Sequence, residues 1–303
     1  MASAKELTIL ITGCSPGGAG AALAIAFHDA GHNVYATARN PAKLASFATR
    51  GLDTLALDVT SASSIASAVD AVSSANPDGK GLDMLVNNAA GSYSMPIADA
   101  SLEASKELFN INVWSQIAVT QAFLPLLLRS AASAANPATS QAMIVNHTSV
   151  GSVTALPFQG IYNSSKAALA MLTQTMRLEL APFGIRVIEL KTAGVRTNLI
   201  SNNNVNTKAE RLPRGSIYEP AREVVEKAMS QQELTKIGIS PEQWASEVAT
   251  LLLGKSPPAV IWRGESALPA RVASMMPCNM FEGMLKKMTK LDVVEHIIKE
   301  SRK

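Results

Sequence analysis

One stretch near the amino terminus decides the fold: Leu7-Thr8-Ile9-Leu10-Ile11-Thr12-Gly13-Cys14-Ser15-Pro16-Gly17-Gly18-Ala19-Gly20. Its first part is a compact apolar run of the kind that forms a buried strand, and its glycines fall in a turn that opens a helix. Glycine lets the backbone approach an anion closely, and the N–H groups at a helix start favour negative charge. A strand, a glycine-rich turn and a helix in this order predict a site for the pyrophosphate of a dinucleotide.

The rest of the chain continues the alternation of strands and helices. Apolar runs typical of strands covered on both faces lie at Leu7–Thr12, Asn33–Ala38, Leu52–Asp58, Leu82–Asn87, Met143–Thr148, Ile185–Leu190 and Val260–Trp262. Helical patterns lie near 19–31, 61–75, 101–131, 161–181, 220–233 and 241–253. This order predicts an α/β fold, a doubly wound parallel sheet with helices on both faces.

The last part of the chain departs from this rhythm. We expect one domain over 1–263, in which 198–257 forms a substrate loop and helices, and a helical extension over 264–303. In the extension, apolar residues at helical spacing predict an amphipathic helix: Phe281, Met284, Leu285, Met288 and Leu291. A helix packed on the body is the plainer interpretation of these methionines. A cover over an apolar substrate site, or a patch that touches lipid, is the sharper one.

Composition excludes several classes of protein. The chain has 303 residues, 47% hydrophobic, and 27 basic against 24 acidic side chains, so it is neither disordered nor fibrous. No basic block predicts a nucleic-acid partner. Two cysteines and four scattered histidines give neither a disulfide framework nor a metal site. The apolar runs are too short to span a bilayer, and the absence of a signal-peptide pattern predicts a cytoplasmic protein.

The end of the second strand, Val34-Tyr35-Ala36-Thr37-Ala38-Arg39-Asn40, indicates which dinucleotide binds. NAD sites place an acidic side chain there for the ribose 2′-hydroxyl, whereas an arginine can pair with a 2′-phosphate. Arg39 is present and an acid is not, which favours NADP(H). The alternative is that Arg39 only begins a solvated loop.

Tyr162-Asn163-Ser164-Ser165-Lys166 indicates acid–base chemistry at the start of a long helix. A spacing of four residues puts the phenol and the ammonium on one helix face. A neighbouring cation favours the phenolate, so we expect Lys166 to lower the pKa of Tyr162 and make it a usable proton donor.

Two further polar residues lie where such a site would need them. Ser149 ends the fifth strand, and the carboxyl ends of parallel strands face the ligand crevice, so its hydroxyl can hold a substrate carbonyl oxygen. Asn112 lies within a predicted helix, where asparagine is unfavourable. We therefore expect Asn112 to have a polar role, as a link in a proton path.

Over roughly positions 5 to 260, these motifs resemble the short-chain dehydrogenase/reductase family. The resemblance implies a Rossmann-like fold and a catalytic tetrad of Asn112, Ser149, Tyr162 and Lys166. It also implies that Asp58 contacts the adenine, that Asn88 and its neighbours lie against the cofactor, and that Thr197 reaches the carboxamide or pyrophosphate. The full predicted cofactor set is Gly13, Ser15, Gly17, Gly18, Gly20, Arg39, Asp58, Asn88, Tyr162, Lys166, Val195 and Thr197.

Three features depart from the family pattern. The glycine-rich turn is one residue longer than usual, so either Gly17 or Gly18 can be the middle glycine. Ala90 replaces a glycine, and Thr192-Ala193-Gly194 replaces the usual Pro-Gly. The longer turn, the second strand's end and the tail resemble a branch that contains 1-acyldihydroxyacetone-phosphate reductases, 17-beta-hydroxysteroid dehydrogenase-like enzymes and fungal reductases of secondary metabolism, which act on apolar carbonyl compounds.

The sequence thus predicts an NADPH-dependent ketoreductase of an apolar substrate. Two other hypotheses remain: a lipid enzyme at the surface of the endoplasmic reticulum or lipid droplets, such as an acyl-dihydroxyacetone-phosphate reductase, and a non-catalytic dinucleotide-binding regulator. The regulator would have no need of Tyr162 and Lys166 together. We also expect a homo-oligomer, because the helix Ile161–Ala181 is broadly apolar, although burial within a monomer would use the same residues.

Overall fold

The computed structural model describes residues 6–76, 79, 81–133, 142–199, 211–232 and 237–303. They contain a parallel sheet of seven strands in the order β3-β2-β1-β4-β5-β6-β7. The strands are β1 Thr8–Ile11, β2 Asn33–Ala38, β3 Asp53–Ala56, β4 Met84–Asn87, β5 Met143–Ser149, β6 Arg186–Thr192 and β7 Val260–Arg263. The predicted doubly wound sheet is confirmed, and each predicted strand lies within about two residues of the observed one.

Helices connect the strands and cover both faces of the sheet. They are α1 Ala19–Asp29, α2 Ala62–Ala75, α3 Leu102–Phe109, α4 Ser115–Ala132, α5 Gly160–Leu180, α6 Arg222–Met229, α7 Pro241–Leu252, α8 Ala267–Ala273, α9 Glu282–Met288 and α10 Leu291–Ser301. Parts of two predictions, the 198–257 substrate loop and the helix near 220–233, fall at 200–210 and 233–236, outside the described residues.

Two apolar clusters form the core, one on each face of the sheet. Strand side chains alternate between faces, so Ile9 and Ile11 join the cluster under α1 and α7, while Leu10 joins the one under α2 and α4. Both clusters are fully shielded, with Trp244 of α7 and Phe123 of α4 each 0% exposed. Burial on both faces leaves the carboxyl edge of the sheet as the place where polar residues can meet a ligand.

The helix that follows β4 changes from α-helical to π-helical geometry for one turn. One turn of π-helix, Asn110–Trp114, joins α3 to α4 without a break in direction. Within the continuous helix Leu102–Ala132, an 18-residue window has a mean hydropathy of 1.4, so length and composition alone would allow the helix to cross a membrane, which the short apolar runs do not indicate. Half of that window is buried inside the protein, and Phe123 and Leu127 pack on the sheet, as expected of a core helix.

The carboxyl-terminal extension differs from the single amphipathic helix that the sequence predicts. Lys290 adopts a left-handed φ of 61° and ends α9, so Leu291 begins a separate helix instead of continuing the apolar stripe. Helix α10 packs on the body through Val294, which is 1% exposed and shares a third cluster with Leu108 and Phe158. The extension is therefore anchored at its end, and its middle part spans the carboxyl edge of the sheet.

Candidate active site

The carboxyl ends of the central strands open into a cavity of about 1550 Å³. Most predicted site residues line it: Gly13, Ser15, Gly18, Arg39, Asp58, Asn88, Ser149, Tyr162, Lys166, Val195 and Thr197. Gly20 and Asn112 are buried behind its wall, and Gly17 lies on the exposed outer side of the turn. The sheet therefore brings together, in one space, the residues expected to bind a dinucleotide and those expected to do chemistry.

The glycine-rich turn is closed by contacts that exclude larger side chains. Gly13 has a φ of 74°, and a Cβ there would lie 2.8 Å from Cα of Ala89. Gly17 has a φ of 73°, whereas Gly18 is extended and precedes the first residue of α1 with no side-chain cap. The two candidates for the middle glycine thus have different tasks, because Gly17 makes the bend and Gly18 presents the free helix start.

Asn88 holds this turn in place rather than pointing a free amide at a ligand. Its Nδ2 donates to the carbonyl oxygens of Thr12 and Gly13 at 2.7 and 3.1 Å. Its Oδ1 lies 2.9 Å from Nδ1 of His147, whose Nε2 lies 2.6 Å from the Thr192 hydroxyl. The side chain expected to contact the cofactor is thus already fully bonded, and it shapes the cofactor site by fixing the turn.

His147 is a structural link between the two halves of the cavity wall. Its ring stacks on Trp244 at 5.3 Å. Burial, with the charge of Lys166 added, lowers the pKa of His147 to about 3. The imidazole is therefore neutral at physiological pH and acts as a hydrogen-bonding spacer. In the sequence His147 is one of four scattered histidines, and its position two residues before Ser149 is the only local signal that points to this role.

Arg39 and Asp58 lie at the end of the cavity beside β2 and β3. Arg39 is exposed and follows the last residue of β2. The Asp58 carboxylate accepts from the Thr60 backbone N–H at 2.9 Å and from the Thr60 hydroxyl at 2.7 Å. Burial alone would raise the pKa of Asp58, but these hydrogen bonds and the charge of Arg39 outweigh it and lower the pKa. This end of the cavity therefore carries both an ionised carboxylate, which is bonded to Thr60, and an exposed guanidinium.

Ser149 and Tyr162 form the chemical centre of the cavity wall. The Ser149 hydroxyl lies close enough to the phenol of Tyr162 to influence its pKa, and the backbone N–H of Gly151 donates to Oγ of Ser149 at 3.1 Å. Burial raises the pKa of Tyr162, and the hydrogen bond with Ser149 opposes the rise. The net shift is therefore opposite to the lowering expected from Lys166, because burial of the phenol is the largest influence on its pKa.

Lys166 reaches past the phenol to the backbone of β5. Its Nζ donates to the carbonyl oxygen of His147 at 2.9 Å and lies 5.9 Å from the centre of the Tyr162 ring. Burial lowers the pKa of Lys166 to about 8. The side chain is therefore still mostly protonated at physiological pH, although its charged form is less favoured than that of an exposed lysine, and a polar partner in the cavity would stabilise the charge.

Asn112 lies in the π-helical turn with its side chain turned away from the cavity. Its Oδ1 accepts from the Gly91 N–H at 2.8 Å, and its Nδ2 donates to the Gly91 carbonyl at 3.1 Å and to Ser165 Oγ at 3.0 Å. The amide thus ties the segment after β4 to helix α5. The structure places Asn112 beside helix α5, which carries Tyr162 and Lys166, and its part in a proton path stays a prediction.

A segment after β6 closes over the dinucleotide end of the cavity. Val195 bridges to Ile239, and the Thr197 N–H donates to the Val195 carbonyl at 2.9 Å. The N–H of Asn198 donates to the Gly17 carbonyl at 3.2 Å. Asn198 was not a predicted site residue, and no local motif marks it, because its contact joins residues far apart in sequence.

A family model described as short chain dehydrogenase matches residues 7–208, the part of the chain that supplies Ser149, Tyr162 and Lys166. The chain belongs to the short-chain dehydrogenase/reductase family. Its members are oxidoreductases, and the hydroxyl pair beside a dinucleotide turn is consistent with that chemistry.

Relatives of this short-chain dehydrogenase/reductase match along nearly its whole length. A short-chain dehydrogenase/reductase of Pestalotiopsis microspora is 48% identical over 299 residues, covering 99% of each chain. An NADPH-dependent 1-acyldihydroxyacetone phosphate reductase of Schizosaccharomyces pombe is 32% identical over 296 residues, covering 94% of this chain and 95% of the relative. A solved short-chain dehydrogenase of Streptomyces avermitilis, 24% identical, has a TM-score of 0.73 and covers 97% and 98% of the two chains, which shows the shared fold.

The turn of this short-chain dehydrogenase/reductase can be tested with two glycines of equal backbone strain. We expect Gly13→Ala to weaken dinucleotide binding more than about tenfold, because its Cβ would push the backbone at Ala89 outward as well as strain a left-handed residue by about 1–2 kcal/mol. Titration of NADPH fluorescence measures the affinity.

The matched control is Gly31→Ala, at a φ of 86° with nothing within 4 Å of the added Cβ. Its melting temperature should fall while NADPH affinity is unchanged. Equal loss of affinity in both variants would contradict a specific role for the contact at Ala89.

Proposed function

We propose that the protein is an NADPH-dependent ketoreductase that reduces the carbonyl group of a neutral, apolar substrate to a secondary alcohol. The observation that carries the proposal is that Ser149 and Tyr162 lie next to each other in the lining of a cavity whose wall also contains apolar tail side chains. The placement of the enzyme in fungal secondary metabolism is part of the same proposal and rests on its fungal relatives.

The residues around the glycine-rich turn fit a dinucleotide. The close approach at Gly13 leaves backbone rather than side chain facing the cavity, and α1 begins without a side-chain cap on its first N–H groups. These are the features that accommodate a pyrophosphate. Gly13, Ser15 and Gly18 would hold the phosphates and Lys166 the ribose next to the nicotinamide. The reduced nicotinamide, when bound, supplies the hydride.

The protein's own residues supply the proton and the orientation. Ser149 and Tyr162 both donate to the substrate carbonyl oxygen, which polarises it and fixes its position. Because burial raises the pKa of Tyr162, the phenol is protonated at neutral pH and can give its proton to the oxygen as charge develops there. Lys166, held near the phenol on the same helix face, stabilises the resulting phenolate, and we propose that Asn112 supports reprotonation through water.

Arg39 favours NADPH over NADH. It lies at the end of β2, lines the cavity and is exposed, so its guanidinium can pair with a ribose 2′-phosphate. Asp58, the nearest carboxylate, is already bonded to Thr60. The relative from Schizosaccharomyces pombe is described as NADPH-dependent, which supports the same choice.

The substrate half of the cavity favours an uncharged apolar molecule. Its wall includes tail side chains that share an apolar surface: Leu268, Val272, Met276, Phe281, Met284 and Met288. Among the described lining residues the cations are Arg39, Lys166 and Lys286, and the ammonium of Lys286 is paired with Glu295 at 2.5 Å. A phosphate ester would have to break that pair or compete with the dinucleotide for the other two cations.

We also propose that the protein is a homo-oligomer that packs through helix α5. Met171 and Leu178 lie on one face of this helix and are 63% and 74% exposed, and Phe183 just beyond its end is 59% exposed. Apolar side chains clustered on a helix face are typical of a subunit contact.

Replacing Tyr162 tests the reaction. We expect Tyr162→Phe to lower kcat for ketone reduction at least about a hundredfold, because the proton donor is lost. NADPH affinity should stay nearly unchanged, since the ring is kept. Turnover is followed as NADPH oxidation with a panel of apolar ketones.

Tyr35→Phe is the matched control, since it removes a phenolic hydroxyl from a buried tyrosine in β2 that is 4% exposed. Its activity should equal that of the wild type. Wild-type turnover by Tyr162→Phe would overturn the assignment of the proton donor, whereas absence of turnover by the wild type with every ketone would favour the non-catalytic regulator.

Replacing Arg39 tests the coenzyme. We expect Arg39→Asp to weaken NADPH use about tenfold to a hundredfold and to improve the use of NADH, because charge-assisted hydrogen bonds to the phosphate are lost and a ribose acceptor is gained. Arg39→Gln should lose NADPH preference without the gain in NADH. An unchanged ratio of kcat/KM for the two coenzymes in both variants would show that Arg39 faces only solvent.

A second candidate function, a lipid reductase at a membrane surface, is favoured by a different observation. Met275 and Met280 are 72% and 60% exposed and are not part of the cavity lining, and the exposed cations Arg271 and Lys287 lie within seven residues of them in the sequence. Apolar side chains flanked by basic ones suit the surface of an anionic membrane. In that case the enzyme would be peripheral on the endoplasmic reticulum or lipid droplets instead of free in the cytoplasm.

Vesicle flotation separates the two candidates. Truncation before Pro277 would remove the buried Val294 and disturb the core, so the better variant is Met275→Gln combined with Met280→Gln. The membrane function predicts that the wild type floats with anionic vesicles and that the double variant does not. A wild type that stays at the bottom of the gradient excludes it.

A further inference from the structure

A pair of opposite charges lies inside the protein on strand β6. Glu189 is 0% exposed and Lys191 5%, and their side chains are in direct contact through Oε1 and Nζ. Both point to the face of the sheet covered by α5, and the proposed reaction uses neither. The ammonium also lies over the ring of Trp262, 5.5 Å from its centre.

Stability alone does not explain such a pair. Taking two charges out of water is costly, and replacing a buried pair by apolar residues of similar size is often neutral or stabilising. The second carboxylate oxygen, Oε2 of Glu189, is buried and has no hydrogen-bond partner among the described residues, so the pair is incompletely compensated. The remaining contacts of the two side chains therefore indicate what the pair does.

Those contacts hold the chain on both sides of Ser149. On the amino-terminal side, the hydroxyl of Thr148 donates to Oε1 of Glu189 at 3.0 Å. On the carboxyl-terminal side, Nζ of Lys191 donates to Oγ of Ser152 at 2.8 Å. Ser152 ends the short turn Val150–Ser152 that follows Ser149. One ion pair thus fixes the residue before Ser149 and the end of the turn after it.

The turn between these anchors has little room to move. A Cβ on Gly151 would lie 2.7 Å from Oδ1 of Asn163 and 3.5 Å from both Oγ of Ser149 and Cε1 of Tyr162. The Gly151 N–H is also the donor that orients the Ser149 hydroxyl. A shift of the Ser152 anchor therefore reaches Ser149 directly through the backbone.

We propose that Glu189 and Lys191 are positioning residues that hold Ser149 at the distance and angle needed to bond the substrate oxygen together with Tyr162. This inference rests on the proposed function, because Glu189 and Lys191 act only through Ser149, and the role of Ser149 is part of that proposed function. Strand β6 then contributes to the reaction without touching the substrate.

Ser152→Ala is the gentlest test, since it removes one hydroxyl and leaves the ion pair intact. We expect kcat for ketone reduction to fall about tenfold, because small misplacements of a reacting group reduce rate steeply. NADPH affinity should be unchanged. Ser152→Thr, which keeps a hydroxyl, should restore most of the rate.

A double-mutant cycle with Ser149→Ala separates positioning from general damage. Single-turnover rates at high enzyme concentration, read from NADPH absorbance, allow the slow variants to be compared. Adding Ser152→Ala to Ser149→Ala should lower the rate less than about twofold, because there is no hydroxyl left to position. A tenfold loss in both backgrounds would overturn the proposal.

Ser130→Ala is the matched control. Its hydroxyl donates to Oδ1 of Asp83 at 2.6 Å, a buried serine–carboxylate bond just before β4, at the opposite edge of the sheet. Its melting temperature should fall without a change in kcat. The same loss of kcat in Ser130→Ala and Ser152→Ala would indicate a structural effect only.

A second variant replaces the whole pair, Glu189→Met with Lys191→Met. A melting temperature equal to or above the wild type, with a reduced kcat, supports positioning; a wild-type kcat overturns it. The failure of the proposed function looks different, because Ser149→Ala itself would then retain wild-type activity. Reduced activity of Ser149→Ala with wild-type activity of Ser152→Ala would reject only the positioning role.

Discussion

The parallel pairing of all seven strands is the constraint from which the site follows. Parallel strands need crossover helices, and these bury both faces of the sheet, so the strand side chains are committed to the core. Because the strands are parallel, they all end at the same edge of the sheet, the carboxyl edge. Gly13, Asn88, Ser149 and Thr192 each lie at or just after a strand end there, and they converge although they are far apart in sequence.

The polar residues at this edge form a framework that fixes the reactive ones. The Asn88 amide holds the glycine-rich turn and meets His147, which continues to Thr192 on β6. Each of these groups is buried or half-buried and bonded, so each would be costly to leave without its partner. Ser149 and Tyr162, by contrast, lie next to each other in the lining of the cavity. Because the surrounding hydrogen-bonded framework is rigid, the two hydroxyl groups could bond a substrate oxygen without rearrangement of the fold.

The sequence predicted the strands and the main helices because these depend on local pattern. It predicted Tyr162 and Lys166 from their spacing along one helix, and Ser149 from its place at the end of a strand. It did not predict what depends on burial or on contacts between distant residues. The pKa of Tyr162 moves opposite to expectation because burial of the phenol is the largest influence on it, and the amount of burial is a tertiary property. The tail was expected as one helix because its apolar spacing continues through Lys290, but the backbone turns there. Asn198 and the ion pair of Glu189 with Lys191 act through partners that no local motif reveals.

The anchoring of the tail through Val294 also has a consequence for how enzymes of this kind can diversify. The end of the tail shares a core cluster with Phe158, which lies four residues before Tyr162 and has a left-handed φ of 65°. The tail therefore cannot be exchanged freely for the tail of a relative, because a new tail would have to pack against Phe158, just before helix α5, as Val294 does. Substitution of the cavity-lining methionines could change the substrate range instead, because methionine is flexible and such positions tolerate substitution. Changes at the anchor would alter activity and thermal stability together.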